Sequence, residues 1–220
     1  MSKLIYMDLE FTGLQQQTVL ISLGLVADTG ETFYAENLGF SCPEHFASFD
    51  DARFFEENIK PSLMFYGTKA ATVEREGRSY RVAGQPYLIR SSLEEWFQKL
   101  SGTAVPPDDS FQIVGDVCTY DWVVFCNLWK HALSVPSYIY YIPFDIATMM
   151  PMCGYHSDTS RESLIEETVN GSKHNALYDA QVIRLIHKRL QDDYARNHST
   201  SDGILYNVME VHVDPDSRNV

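Results

Sequence analysis

Residues 3–10 read Lys-Leu-Ile-Tyr-Met-Asp-Leu-Glu, an apolar strand-forming run that carries two acids, Asp8 and Glu10, two positions apart at its end. After a turn at Gly13 a second apolar run follows, Val19 to Ala27 (VLISLGLVA), then Asp28-Thr29-Gly30 and a third run, Glu31 to Leu38. Strand-forming residues punctuated by Asp-Gly-type turns predict a three-stranded meander. The second strand is apolar on both faces, which places it in the interior of a sheet.

Downstream the pattern changes to alternating helix and strand. The stretch 42–65 is irregular, with Phe46, Phe49, Phe54 and Phe55 among acids and a break at Pro61, and reads as short helices. Ser91 followed by Glu94 predicts a helix start in SSLEEWFQKL, because the two side chains can satisfy each other's free backbone amides. Phe111–Cys118 reads as a strand, and Trp122–Leu133 as a helix with Phe125, Leu128, Trp129 and Ala132 on one face, closed by Pro136. A short apolar segment, Tyr138–Phe144, precedes Asp145 and a weak helix, and a long helix follows from about Asn175 to Tyr194. The fold class predicted is α/β, a mixed sheet flanked by helices.

Two segments stand outside that scheme. Residues 69–90 hold five basic and two acidic residues around a Glu76-Gly77 turn, and read as an inserted basic hairpin, either a solvated surface feature or a substrate arm. The polar, Ser-rich stretch 196–203 leads to ILYNVMEVHV, so the domain is drawn at 1–195 and a C-terminal extension with an extra strand at 196–220. That strand could cover an edge of its own sheet or pair with a second copy, which leaves a homodimer open.

Composition limits the function. The 220 residues are 45% hydrophobic and 13% aromatic, enough for a packed core. The amino-terminal apolar run is interrupted by Asp8 and lacks a small-residue cleavage site, so neither a signal peptide nor a membrane span is expected, and the protein is read as cytoplasmic. Cys42, Cys118, Cys126 and Cys153 have no zinc-type spacing and fit reduced thiols. A net charge of −13 argues against coating long nucleic acid, which relies on many phosphate contacts. An acidic site can still hold a phosphodiester where divalent cations supply the positive charge, which fits an enzyme gripping a few nucleotides.

The chemistry-bearing residues lie in three separated places. Asp8 and Glu10 share one strand face, where adjacent apolar surface makes bare charge costly. His174 at the mouth of the last helix and Asp179 inside it can aim at one point if the chain bends at Gly171. A neutral imidazole suits a water-activating base, so activity should rise toward the alkaline side of its pKa. Between them lies VGDVCTYDW, 114–122, with two acids. Asp121, at a helix start behind an aromatic, is the choice over Asp116 on the strand, which remains the alternative or a supporting group. Ligand sites of open α/β sheets lie at the carboxyl ends of strands, where all three elements can meet.

The order Asp8-x-Glu10, then Asp121, then His174-x4-Asp179 resembles the DEDDh exonucleases, the group with the proofreading exonucleases, oligoribonuclease and ribonuclease T. The first motif, Asp8-Leu9-Glu10-Phe11-Thr12-Gly13-Leu14, is similar to that of oligoribonuclease, with Phe11 where Met is usual. ISLGLVA (21–27), GETFYA (30–35), Tyr120-Asp121 and Cys126-Asn127-Leu128-Trp129 resemble more closely the mycobacterial-type 3′-to-5′ exoribonucleases. The Tyr subgroup places Tyr where Asn175 stands, so His174 assigns the chain to the His subgroup.

The resemblance implies a ribonuclease H-like fold. It implies two Mg²⁺ or Mn²⁺ ions on Asp8, Glu10, Asp121 and Asp179, His174 as the base, and Phe11 and Thr12 beside the terminal nucleotide. The expected activity is release of nucleoside 5′-monophosphates from short, single-stranded or protruding 3′ ends, with RNA favoured. A DNA-directed exonuclease and a catalytically silent nucleic-acid-binding domain are the alternatives. Val117 stands where an Asn is common in the second motif, and the hairpin 69–90 has no counterpart in the resemblance.

Overall fold

The computed structural model describes residues 2–40 and 44–198; the expected strand at 204–213 and most of the 196–220 extension lie outside them. The meander is present as β1 (Lys3–Phe11), β2 (Leu20–Ala27) and β3 (Thr32–Asn37). β2 pairs antiparallel with both neighbours and is buried at every position, as its two-faced apolar sequence requires.

Alternation along β1 divides the molecule. Ile5, Met7 and Leu9 join one apolar cluster with Ile89, Leu93, Trp96 and Phe97 of α2 (Pro86–Ser101) and with Val124 and Phe125 of α3 (Thr119–Asn127). Tyr6 faces the other way, into a cluster with Ala180, Ile183, Ile186 and Leu190 of α5 (Ala176–His198). Asp8 and Glu10 continue that second face toward the strand's end.

The remaining elements are α1 (Phe49–Phe54), which runs on through a π turn and a 3-10 turn to Ser62, then β4 (Thr72–Glu76), β5 (Ser79–Gly84), β6 (Phe111–Gly115), β7 (Phe144–Asp145) and α4 (Ile146–Met149). The seven strands lie in the order β4-β5-β3-β2-β1-β6-β7. β6 runs parallel to β1, and β5 parallel to β3, so the carboxyl ends of β1, β3, β5 and β6 share one edge.

Three local expectations are corrected. α2 begins at Pro86 instead of Ser91, because proline is preset for a helix's first turn and lacks only an amide that has no intrahelical partner there. Ser91 Oγ instead donates to Leu88 within the helix, and Glu94 accepts the Trp129 indole N–H at 2.8 Å. The helix expected over Trp122–Leu133 starts at Thr119 and stops at Asn127, short of Pro136, with Lys130 at φ 75° just beyond. The hairpin expected over 69–90 is present as β4 and β5 but is shorter, since residues 86–90 open α2, and β5 pairs along its length with β3, so it extends the sheet. Its Gly77 turn points away from the carboxyl-end edge, and Arg75 and Arg78 are paired with Glu95 and Glu31.

Cys118, Cys126 and Cys153 are buried free thiols. Among the described residues no helix is long and apolar enough to cross a membrane.

Candidate active site

Asp8 lies directly opposite Gly24 of β2, so both face α5. The missing side chain at Gly24 is what lets the helix come down there: a Cβ would sit 2.2 Å from the Ala176 carbonyl and 2.4 Å from the Leu177 nitrogen. The start of α5 is thereby seated beside Asp8, with Asp179 in the helix's first turn. Asp8, Glu10 and Asp179 each offer an oxygen, and these lie within 4.8 Å of one another.

Asp121 enters from the first turn of α3 and accepts the Leu9 N–H at 2.9 Å. It lines the same cleft, about 750 Å³, but is not one of the three whose oxygens cluster most tightly.

Packed together and half-buried, these acids resist ionisation. Burial, then Glu10, Asp121 and Asp179, holds Asp8 well above the ordinary carboxylate range. Burial pushes Asp121 up to about 7. Burial, then the charge of Glu10, does the same to Asp179. Glu10 is raised by burial and relieved by His174. A set of hard carboxylate oxygens converging in one cleft suits a hard divalent cation.

His174 is held over this cluster by the chain around it. Its Nδ1 lies 3.6 Å from Glu10 Oε1, and that partner raises its pKa above the usual imidazole value. Its backbone is left-handed, φ 65°, with its N–H donated to Asp179 Oδ2 at 2.8 Å. The edge of Phe54 meets the imidazole at a centroid distance of 5.1 Å.

Phe11 lines the cleft and stacks on Tyr120, centroids 6.1 Å apart. Thr12, expected beside it, is fully buried and turned inward: its Oγ1 accepts the Val19 N–H at 2.9 Å, and its own N–H donates to the Val19 carbonyl. It secures the turn between β1 and β2. Asp116, the alternative to Asp121, is held bidentately by Arg161 at 2.7 Å through two nitrogens, so its charge is already answered. Arg161 also donates to the Ser157 and Thr159 carbonyls, fastening that loop to the cleft.

Several contributors escaped the sequence reading. Gly24 did carry a signal, since a glycine inside a buried strand marks close backbone approach. Asp145 carried a weaker one, an acid before a helix. It caps α4 through the Ala147 N–H and also accepts the Val117 and Cys118 amides, bracing the turn between Asp116 and Asp121. Arg161 carried none, because its partner is 45 residues away.

Solved structures share this fold at low identity. Cell-death related nuclease 4 (CRN-4) aligns with a TM-score of 0.53 and 14% identity over 87% of this chain. A 3′-exonuclease described for 3′-end specific recognition of histone mRNA stem-loop aligns at 0.53 and 13% over 87%. The chain spans 64% of each of those two. The RNase domain of the yeast Pop2 protein aligns at 0.50 and 14%, over 91% of this chain and 80% of its own. The fold is therefore the ribonuclease H-like mixed sheet of these nucleases. No curated protein sequence is similar enough to match. Residues 3–190, spanning every element from β1 into α5, match the 3′-5′ exoribonuclease Rv2179c-like domain, and the chain belongs to that family.

Proposed function

We propose that the protein is a divalent-metal-dependent 3′-5′ exonuclease of the DEDDh type that releases nucleoside 5′-monophosphates from short, single-stranded or protruding 3′ ends, RNA in preference to DNA. The observation that carries this is the convergence of Asp8, Glu10 and Asp179 within 4.8 Å, with Asp121 and His174 lining the same cleft. The family's activity supports the direction of attack and the choice of RNA.

Asp8, Glu10, Asp121 and Asp179 would hold two ions, which when bound supply the positive charge for an anionic phosphate and its leaving oxygen. His174 accepts the proton of the water attacking phosphorus, and Glu10 beside Nδ1 steadies the resulting imidazolium. The bond between phosphorus and the 3′ oxygen of the preceding nucleotide breaks, and that oxygen leaves on the shortened strand with a proton from solvent. The Phe11–Tyr120 pair offers an aromatic face to the terminal base. Thr12 shapes the turn that carries Phe11.

The test is incubation of labelled single-stranded and 3′-overhang RNA and DNA with Mg²⁺ or Mn²⁺, comparing wild type with Asp179→Ala and His174→Ala. The expected result is stepwise mononucleotide release, faster on RNA, lost in Asp179→Ala and in chelator and reduced to a low residual rate in His174→Ala. Internal cleavage, or undiminished release by both variants, overturns the reading.

A further inference from the structure

Among the five residues proposed for the chemistry, His174 is the one carried by neither strand nor helix, and it sits in a backbone conformation that a non-glycine residue leaves readily unless held. Its aim therefore depends on whatever holds the loop. The Ser62 hydroxyl lies 2.5 Å from the His174 carbonyl and 2.7 Å from the Ile59 carbonyl, standing between the two chain segments. The Ser62 carbonyl accepts the Asn175 side-chain amide at 2.8 Å, while Asn175 Oδ1 takes the Tyr178 N–H at the start of α5. One serine thus grips consecutive residues, 174 and 175, from a segment 112 positions earlier in the chain.

That segment is itself pinned from below. Glu36 of β3 is 4% exposed, and its Oε1 accepts the Met64 N–H at 2.5 Å, the Phe65 N–H at 2.9 Å and the Tyr34 hydroxyl at 2.7 Å. Glu36 lies in one cross-strand row with Ser22 and Glu10, so it is about 10 Å from Glu10 across two strand spacings. The two acids share a face and differ in employment: Glu10 belongs to the carboxylate cluster, and Glu36 is consumed by the loop. Phe54, at the other end of the same segment, braces the imidazole.

We infer that residues 59–65 form a clamp for His174, with Ser62 a positioning residue and Glu36 its anchor. This rests on His174 acting as the base. Removing the hydroxyl frees the His174 carbonyl without touching substrate, so it lowers the rate of the chemical step and leaves substrate affinity alone.

The experiment measures kcat, KM and Tm for Ser62→Ala and Ser62→Thr, each also in a His174→Ala background. Expected are an approximately tenfold lower kcat for Ser62→Ala with KM unchanged, about the loss of one hydrogen bond's worth of alignment. Ser62→Thr, which keeps the hydroxyl, recovers most of the rate. In the His174→Ala background Ser62→Ala costs nothing further, since the clamp then has no imidazole to aim. An equal fall in both backgrounds, an effect on KM alone, a fall tracking Tm that threonine does not rescue, or no fall overturns the clamp. His174→Ala turning over at the wild-type rate overturns the base assignment first, which separates the two failures. Glu36→Gln provides a second route: it should reproduce a smaller fall in kcat at constant KM, and an unchanged kcat removes the anchor.

Discussion

The two ends of α5 each bury an aspartate, and they treat it in opposite ways. Asp193, near the carboxyl end, is desolvated, yet the Tyr155 hydroxyl at 2.7 Å and Arg189 at 3.1 Å, with Arg196 beside them, bring its pKa below the ordinary value. Asp179, at the amino end, has the His174 N–H but faces Glu10, and burial pushes it up to about 7. A buried acid matched by cations of its own chain is complete as it stands. One facing other acids is arranged for a cation that comes from outside.

The sharpest way to break this contrast is Asp179→Asn. It should lower metal-dependent turnover about a thousandfold or more, while Tm measured in chelator stays level or rises because one member of a repelling set has gone. A lower Tm in chelator would mean that the charge at 179 is structural, like that at 193.

The middle of the same helix gives the next effect. His187 is fully buried among Tyr6 of β1 and Phe144 of β7, with Nδ1 3.1 Å from the Tyr6 hydroxyl and Nε2 lacking a partner among the described residues. Desolvation lowers its pKa to about 4, so the unfolded chain takes up a proton first as pH falls. Stability is therefore full above the unfolded value near 6.5 and is lost as pH drops toward 4, by about 2–3 kcal/mol between pH 7.5 and 4.5. Denaturant titration of wild type and His187→Gln reads this directly, and the variant should show the smaller loss.

Smallest is Asp193→Ala, expected to cost about 1 kcal/mol of stability by removing the acceptor of the Tyr155 hydroxyl, with kcat unchanged. A fall in kcat beyond that explained by unfolding would join the two ends of the helix functionally.

What the sequence disclosed follows the range of the forces involved. The meander, the long helix and the shared face of Asp8 and Glu10 arise from neighbours in the chain, where periodicity is visible. Local position alone favours Asp121 over Asp116 in the sequence, whereas the guanidinium that occupies Asp116 in the structure comes from Arg161 far along the chain. Ser62 and Glu36 look like ordinary polar residues in the sequence, because their partners are set by tertiary contacts. Thr12 sits two positions after Glu10 in the first acidic motif, yet its hydroxyl is used within the turn. The false helix start at Ser91 shows a local capping pattern overruled by a proline five residues before it.

Gly24 also bears on how the chain reaches this state. A one-residue slip that turned β1 over would press Asp8 and Glu10 into the apolar cluster now filled by Ile5, Met7 and Leu9, and folding would reject it on burial alone. A two-residue slip keeps apolar residues inward and is the harder error to detect. It would place Ser22 or Val26 beneath the Ala176 carbonyl, where even a Cβ has no room, and α5 could not dock. The bare position opposite Asp8 thus acts as a proofreading step in assembly: the helix carrying Asp179 seats only on a correctly paired sheet.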